Sequence, residues 1–389
     1  MATFVVYSVN PFTIYGGMEK VLSILGRLLQ EDGHQFRIVS LISDSKGLKP
    51  VVDWLSAFPV FRYPIPRIPW PKPFHWLFRV ITKGSVFNAS RFILDDFMKN
   101  GLPDYCLVCS AIYIIPDLAE ARKRLGQEFR IVYWEHGTLA TLRKINKLYS
   151  PFKLYKRLSS VLTNKVTEPF LRKADIHLAI STGLKELILS YQPNADARIV
   201  FNPVGTRAGK LVKRTATPKF LYVGRLDDQF KNISFLLKGL SHFANKEWSL
   251  AVIGTGPDEA KLKKLAAKLG INQRIRWLGF RDNPFDEFEE CTALLLTSRV
   301  EGFPLVLVEA NAYGIPVIAS DCLAGPKDIV IEGVNGYLFP EGDMKSFVNL
   351  LDCAIRGDLA VASAEEIAMT AERFSVENFY RRLKEALGF

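Results

Sequence analysis

The sequence predicts an α/β fold made of two domains, each built on a parallel sheet. At 389 residues the chain is long enough for two domains of ordinary size. Runs rich in Val, Ile and Leu alternate with amphipathic segments along the chain, which is the pattern of strands and helices in turn. Because buried parallel strands read as continuous apolar runs, we expect both sheets to be covered by helices on both faces.

The first βαβ unit is predicted at the N-terminus. Residues 4–9 and 36–41 read as strands, with an amphipathic helix between them. Gly16 and Gly17 lie between the first strand and that helix, where a backbone without side chains can approach a phosphate closely. A glycine pair also suits a plain tight turn, so both interpretations are open at this point.

A second candidate follows a later strand of the N-terminal half. Strands are predicted at 104–110 and 129–134, and Glu-His-Gly at 135–137 comes directly after the second. A side chain at the carboxyl end of a parallel strand lies where open α/β sheets bind ligands. His136 is therefore a candidate site residue, although a purely structural histidine is equally compatible with the pattern.

The stretch 206–219 predicts the interdomain linker, because it holds five basic residues, no acid and few apolar residues. The N-terminal domain is accordingly expected at 1–205 and the C-terminal domain at 220–370. Residues 371–389 are expected to contain a last amphipathic helix.

The C-terminal half contains the most informative segment, Glu301-Gly-Phe-Pro-Leu-Val-Leu-Val-Glu309. We expect a helix from Pro304 to Tyr313, with Pro304 as its first residue and Gly314 as the stop that follows it. Such a helix start offers free N–H groups and a positive dipole end, which suit a phosphate. Glu301 would face a group attached to that phosphate, and Glu309 could reach a second group such as a ribose diol.

The cysteines and the hydropathy pattern argue against a disulfide-rich protein, a metal or redox site at Cys106 and Cys109, and a membrane-spanning protein. Five cysteines are scattered along the chain, as is usual in a reducing cytosol. Cys106 and Cys109 lie three apart in a predicted strand and so point to opposite faces, which argues against a metal or redox site. No apolar run reaches the roughly 20 residues of a membrane span. No signal peptide is predicted at the N-terminus.

Positive charge is concentrated in the N-terminal half. Residues 1–200 contain 27 Lys and Arg against 16 Asp and Glu, whereas residues 201–389 contain 24 of each. The stretch 54–94 has no acid and interleaves basic residues with aromatic ones, including Trp70 and Trp76, and a second basic run covers 143–173. Such a surface suits an anionic membrane or a nucleic acid. Since no nucleic-acid-binding motif is present, we favour the membrane.

Taken together, the motifs resemble the retaining glycosyltransferases of family 4, which have the GT-B fold. The resemblance rests on Gly16-Gly17, the Glu-His-Gly at 135–137, Val-Gly-Arg-Leu at 223–226 with Lys231, Gly254-Thr-Gly256 and the segment Glu301 to Glu309, in that order. It implies two Rossmann-like α/β/α domains facing each other across a cleft. It also implies that the C-terminal helix returns to the N-terminal domain.

The resemblance implies a role for each candidate residue. The donor is expected to be a UDP-hexose, with Arg225 and Lys231 neutralising its phosphates. Glu301 would bind the hydroxyls of the transferred sugar and Glu309 those of the ribose, and His136 would face the sugar. The remaining expected donor-binding residues are Gly16, Gly17, Gly254, Gly302, Phe303 and Leu305. No protein nucleophile, catalytic metal or cofactor is implied.

One loop departs from the common family pattern. Asp321-Cys-Leu-Ala-Gly-Pro-Lys-Asp328 stands where many members have Gly-Gly-x-x-Glu. It looks like the branch of lipopolysaccharide core galactosyltransferases and relatives from surface-polysaccharide synthesis. The expected reaction is therefore transfer of galactose or glucose from a UDP-hexose to a lipid-linked or membrane-bound glycan, by a cytoplasmic protein peripheral to the inner face of the membrane. Whether Lys327 or Asp328 touches the donor is left open.

Two alternative functions are compatible with parts of this pattern. A sugar-nucleotide epimerase could use the same scaffold, but it needs no acceptor groove and leaves the basic, aromatic N-terminal half unexplained. A non-enzymatic membrane or nucleic-acid binding module would have no need of Arg225, Lys231, Glu301 and Glu309 together.

Overall fold

The computed structural model describes residues 1–8, 17–42, 55–64, 89–109, 112–137, 168–205, 210–215 and 217–389. Gly16, Trp70 and Trp76 lie outside this part of the chain, as do most of the stretch 54–94 and most of the basic run 143–173. The membrane surface expected there is therefore not part of the structure described below.

The chain forms two compact units, Met1–Phe201 with Tyr380–Phe389, and Asn202–Phe379. The first unit contains a seven-stranded sheet in the order β3-β2-β1-β4-β5-β6-β7. Its strands are β1 (Thr3–Ser8), β2 (Gln35–Ile42), β3 (Val60–Pro64), β4 (Tyr105–Cys109), β5 (Arg130–Glu135), β6 (Ile176–Ala179) and β7 (Ala197–Ile199). Its helices include Gly17–Glu31, Ala89–Asn100, Ile115–Leu125 and Thr182–Tyr191. Ser181 caps the last of these by accepting a hydrogen bond from Leu184 N.

The second unit contains a six-stranded sheet in the order β10-β9-β8-β11-β12-β13. Its strands are β8 (Lys219–Val223), β9 (Ser249–Ile253), β10 (Ile275–Gly279), β11 (Ala293–Leu296), β12 (Val317–Asp321) and β13 (Gly336–Pro340). Its helices are Asp228–Lys231, Ile233–Ser241, Glu259–Lys268, Leu305–Ala312, Pro326–Ile329, Met344–Arg356 and Ala364–Ala371, and Val376–Leu387 runs from this unit into the first.

Neighbouring strands of both sheets pair in parallel throughout the described residues, for example β1 with β4 and β8 with β11. Helices between successive strands then pack on the sheet faces, and the apolar runs are buried between them. Val5, Val6, Leu294 and Leu295, for instance, have no exposed surface. The predicted α/β class with parallel sheets is confirmed.

The boundary between the units precedes the expected linker, and this corrects the prediction of 206–219. Val212 N donates to the Tyr313 carbonyl over 2.9 Å, and Lys213 forms a β-bridge with Glu290. Lys210 Nζ also lies 3.1 Å from Glu289 Oε1. Lys210 and Lys219 therefore pair with Glu289 and Glu290 of the C-terminal unit, and Arg214 donates to backbone carbonyls of the same unit.

The end of the chain packs with the N-terminal unit. Tyr105 Oη donates to the Leu387 carbonyl over 3.2 Å, and the Phe389 ring lies 4.8 Å from the ring of Phe4. The helix that carries these contacts begins at Val376, so residues 371–375 do not belong to it.

Two expectations from the sequence concern cysteine and hydropathy. Cys106 and Cys109 are free and buried in β4, and burial raises the pKa of both thiols. Within the described ranges, no helix combines the length and the apolar character needed to cross a bilayer.

Candidate active site

The candidate residues of the C-terminal unit gather where the strand order of its sheet reverses. β8 lies between β9 and β11, so the chain winds in one direction from β8 to β10 and in the other from β11 to β13. Arg225 follows the carboxyl end of β8, Gly254 that of β9, and Glu301 that of β11. Ligands of open α/β sheets bind outside the carboxyl ends of the strands at such a switch point.

Lys231 and Glu301 meet directly at this edge. Lys231 is the last residue of the short helix Asp228–Lys231, and its Nζ lies 2.6 Å from Glu301 Oε1. The Lys231 side chain is 27% exposed and the Glu301 side chain 10% exposed. An ammonium has three N–H donors and this contact occupies one, so Lys231 can bind a second anion beside the carboxylate.

Backbone packs on backbone in the loops after β8 and β9. A Cβ atom added to Gly254 would lie 2.0 Å from the carbonyl oxygen of Gly224, and the φ of Gly254 is +128°. Only glycine fits a position with so close an approach and a positive φ. The loops after β8 and β9 are thereby held together, and the Arg225 side chain is exposed beside them.

The segment from Glu301 to Glu309 forms a loop and a helix, with one correction to the prediction. The helix is Leu305–Ala312, and Pro304 precedes it as the N-cap with a ψ of 87°, which is not helical. Phe303 is buried and packs edge-on against Phe374 at 5.2 Å. A ligand at this helix start would therefore meet the backbone around Gly302, Phe303 and Leu305. Glu309 is half-buried on the same helix.

The divergent loop after β12 packs against the Glu301 loop. A Cβ atom on Gly325, whose φ is +93°, would lie 2.5 Å from Pro304 Cδ. Burial, together with the nearby Glu301 carboxylate, raises the pKa of the Cys322 thiol to about 12. Lys327 Nζ lies 2.9 Å from Asp321 Oδ2, and the Lys327 side chain is 71% exposed. The loop thus adds an ion pair of its own close to Glu301.

The candidate of the N-terminal unit is neutral. His136 follows β5, and its Nε2 is buried without a hydrogen-bond partner among the described residues. Burial lowers the pKa of His136 to about 3. The loop is held by the fully buried Glu135, whose Oε1 accepts from Gly137 N over 2.6 Å and whose Oε2 accepts from Tyr133 Oη. At neutral pH this imidazole can offer a hydrogen bond but no charge.

Sequence reasoning missed Arg299, which lies two residues before Glu301. Its guanidinium Nη1 donates to the carbonyls of Asp228 and Gln229 at 2.7 and 3.1 Å, and Nη2 donates to Asn232 Oδ1. A charged residue between the end of β11 and Glu301 was the available signal. The partners are mostly backbone carbonyls, however, and these leave no trace in the sequence.

The described residues therefore bring Lys231 and Glu301 into contact, with Arg225, Gly254, Gly302, Phe303, Leu305 and Glu309 in the same unit. Gly17, at the exposed start of the helix Gly17–Glu31, and His136 belong to the N-terminal unit. In the part of the chain that is described, no three His, Cys, Asp or Glu side chains are arranged as metal ligands.

Comparison with known proteins identifies the class of protein. A family model described as Glycosyltransferase Family 4 matches residues 15–207, and one described as Glycosyl transferases group 1 matches residues 206–372. An apo structure of a lipopolysaccharide outer core galactosyltransferase is 28% identical, with a TM-score of 0.77, and the match covers 100% of this chain and 99% of that one. An Anabaena protein solved with UDP-glucose is 19% identical, with a TM-score of 0.69 and full coverage of both chains, which bears on the fold alone. The predicted GT-B class is confirmed.

Two curated relatives narrow the class. The lipopolysaccharide 1,6-galactosyltransferase of Escherichia coli (strain K12) is 32% identical over 302 residues, which are 76% of this chain and 77% of the relative. The enzyme of the same name from Salmonella typhimurium is 34% identical over 310 residues, 78% of each chain. The chain belongs to the family 4 glycosyltransferases and is a glycosyltransferase, as the sequence motifs predicted.

Proposed function

We propose that the protein transfers a hexose, galactose or glucose, from a UDP-hexose to a lipid-linked or membrane-bound glycan in the synthesis of bacterial lipopolysaccharide or surface polysaccharide. The observation that carries the proposal is the Lys231–Glu301 ion pair at the switch point of the C-terminal sheet. A cation and a sugar-binding carboxylate stand side by side there, as a nucleotide sugar requires. The similarity to galactosyltransferases of lipopolysaccharide synthesis supports the choice of sugar and pathway.

The donor's diphosphate is bound by fixed positive charges. Breaking the sugar–phosphate bond builds charge on the leaving oxygen, which Arg225 and Lys231 neutralise together with the start of the helix Leu305–Ala312. Arg225 binds as a planar fork and Lys231 as a point charge. Because side chains supply these charges, the reaction needs neither a divalent metal nor another cofactor.

Two carboxylates orient the rest of the donor. Glu309 accepts hydrogen bonds from the ribose hydroxyls, and Glu301 accepts them from the transferred sugar while it holds Lys231. Each hydrogen bond to a charged acceptor contributes about 1.5–3 kcal/mol. His136 is proposed to give the sugar a neutral hydrogen bond, and the backbone amide of Gly17 is proposed to donate to the phosphates.

The transfer retains the anomeric configuration. The acceptor hydroxyl attacks the anomeric carbon on the face from which the UDP leaves, the carbon–phosphate oxygen bond breaks, and the acceptor's proton passes to the leaving phosphate. No protein nucleophile takes part.

Release of UDP tests the function. The protein is incubated with UDP-galactose, UDP-glucose and UDP-N-acetylglucosamine, with and without membrane extract. Acceptor-dependent UDP release from UDP-galactose or UDP-glucose is expected. An epimerase would interconvert the UDP-sugars without extract and release no UDP, and a binding module would leave every donor unchanged; either result contradicts the proposal.

We further propose that the basic N-terminal half rests on an anionic leaflet, which brings the enzyme to its acceptor. Each Lys or Arg near the surface adds about 1 kcal/mol, and salt screens this attraction. Liposome sedimentation should show binding that needs anionic lipid and falls as salt rises, and Trp70→Ala with Trp76→Ala should weaken it. Binding to oligonucleotides but not to anionic liposomes at low salt would contradict the proposal.

A further inference from the structure

We propose that Arg299 is a positioning residue, which holds Lys231 against Glu301 without touching the donor. The inference rests on the proposed function, because it concerns the lysine that neutralises the donor's phosphates. It also goes beyond that function, since none of the sequence motifs assigns a role to Arg299.

The helix that carries Lys231 needs outside support. Asp228–Lys231 is only four residues long, and a helix of one turn is unstable by itself. It ends at Asn232, which has a left-handed φ of +52°. The last carbonyls of any helix have no partner within it, so the position of Lys231 depends on whatever binds them.

Arg299, which follows the carboxyl end of β11, binds these carbonyls. Its backbone N donates to the Phe230 carbonyl over 2.7 Å. Its Nη1 donates to the carbonyls of Asp228 and Gln229, and its Nη2 to the side chain of Asn232. One residue thus contacts most of the turn that carries Lys231, and its side-chain contacts use the planar fork of donors that only arginine has.

Thr297, which directly follows β11, also forms hydrogen bonds with this turn. Its Oγ1 lies 3.2 Å from the Lys231 carbonyl and 3.1 Å from the Asn232 carbonyl. Glu301 follows Arg299 by two residues, so a single short segment presents the carboxylate and fixes the helix that carries its partner. The geometry of the ion pair is therefore set by the contacts of residues 297–299.

A double-mutant cycle tests whether Arg299 acts through Lys231. Arg299→Gln should lower kcat about tenfold in the wild-type background, since a misplacement of about 1 Å can cost a hundredfold and a partial loosening of Lys231 costs less. In the Lys231→Ala background the same substitution should lower kcat by less than twofold. Arg299→Lys, which keeps the charge but loses the fork, should resemble Arg299→Gln. Arg356→Gln, at the far end of the helix Met344–Arg356, is the control and should leave kcat unchanged. Losses that multiply in the double mutant would overturn the proposal.

A second readout needs no turnover and separates the two proposals. The rate at which an amine-directed reagent labels Lys231, measured by mass spectrometry, should rise several-fold in Arg299→Gln and stay at the wild-type value in Arg356→Gln. If the wild type releases no UDP, the proposed function fails while labelling still decides the role of Arg299. Should Arg299→Gln not fold, Thr297→Val removes the second restraint and should raise the labelling rate in the same direction. An unchanged rate in the folded variant would overturn the proposal.

Discussion

The carboxyl edges of the two sheets differ in how they carry charge. In the C-terminal unit, Lys231 and Glu301 form an ion pair whose carboxylate is 10% exposed, and the exposed Arg225 stands on the neighbouring loop. In the N-terminal unit, the side chain after β5 is the neutral His136, and the adjacent Glu135 is fully buried by its own loop. The difference fits the proposal that the C-terminal unit binds the charged part of the donor.

Removing the cation of the C-terminal edge should have the largest effect on turnover. Lys231→Ala is expected to lower kcat by tenfold to a thousandfold, the range typical of a lost transition-state donor. Arg225→Ala should behave in the same way, because both side chains are proposed to neutralise the leaving phosphate.

Lys238→Ala is the matched control, since Lys238 is an exposed lysine of the neighbouring helix Ile233–Ser241. Turnover is measured as UDP release at saturating donor. Wild-type rates in both Lys231→Ala and Arg225→Ala would remove these residues from the site and would erase the contrast between the two edges.

Substitutions of Glu301 and Glu309 distinguish their proposed roles in donor binding within the C-terminal unit. Glu309→Gln should weaken the binding of UDP itself about tenfold, because the ribose diol loses a charged acceptor. Glu301→Gln should spare UDP and weaken only the additional binding due to the sugar. Calorimetry with UDP and UDP-galactose measures both, with the exposed Glu247 changed to Gln as control. The opposite pattern would exchange the two roles.

A pH series tests the neutral edge. The pKa of His136 is lowered from 6.5 to about 3 in the folded protein. As the pH falls, His136 therefore becomes protonated in the unfolded chain before it does so in the folded protein. The contribution of neutral His136 to the free energy of unfolding is fully present above pH 6.5. It is lost as the pH falls toward 3, at about 1.4 kcal/mol per pH unit. The melting temperature should therefore fall more steeply between pH 6.5 and 4.5 in the wild type than in His136→Asn.

The exposed His242 provides the control for this series. His242→Asn should keep the wild-type slope of melting temperature against pH. Equal slopes for the wild type and His136→Asn would mean that the pKa of His136 is not lowered by folding, and the N-terminal edge would then gain a positive charge below about pH 6.5.

The sequence could predict those features that depend on residues close by in the chain. Apolar runs that alternate with amphipathic segments predicted the strands and helices, because both patterns depend on near neighbours in the chain. Lys231 and Glu301 are 70 residues apart, and their common site followed only from the order of motifs shared with a family.

The missed features depend on distant partners. The stretch 206–219 looked like a solvated linker because the acids that pair with it, Glu289 and Glu290, come more than 70 residues later. Pro304 lies before the helix rather than in it, in a loop packed tightly against Gly325. Arg299 was missed because its partners are largely backbone carbonyls, and any residue type can provide those.

The central claim is that side chains of the C-terminal unit, and not a metal, neutralise the donor's phosphates. Calorimetry of UDP binding in excess EDTA, on the wild type and on Lys231→Ala, tests it most directly. We predict that the wild type binds UDP in EDTA, that added magnesium or manganese leaves the affinity unchanged, and that Lys231→Ala binds at least tenfold more weakly. Binding that appears only after the metal is added, or equal affinities in the two proteins, would contradict the claim.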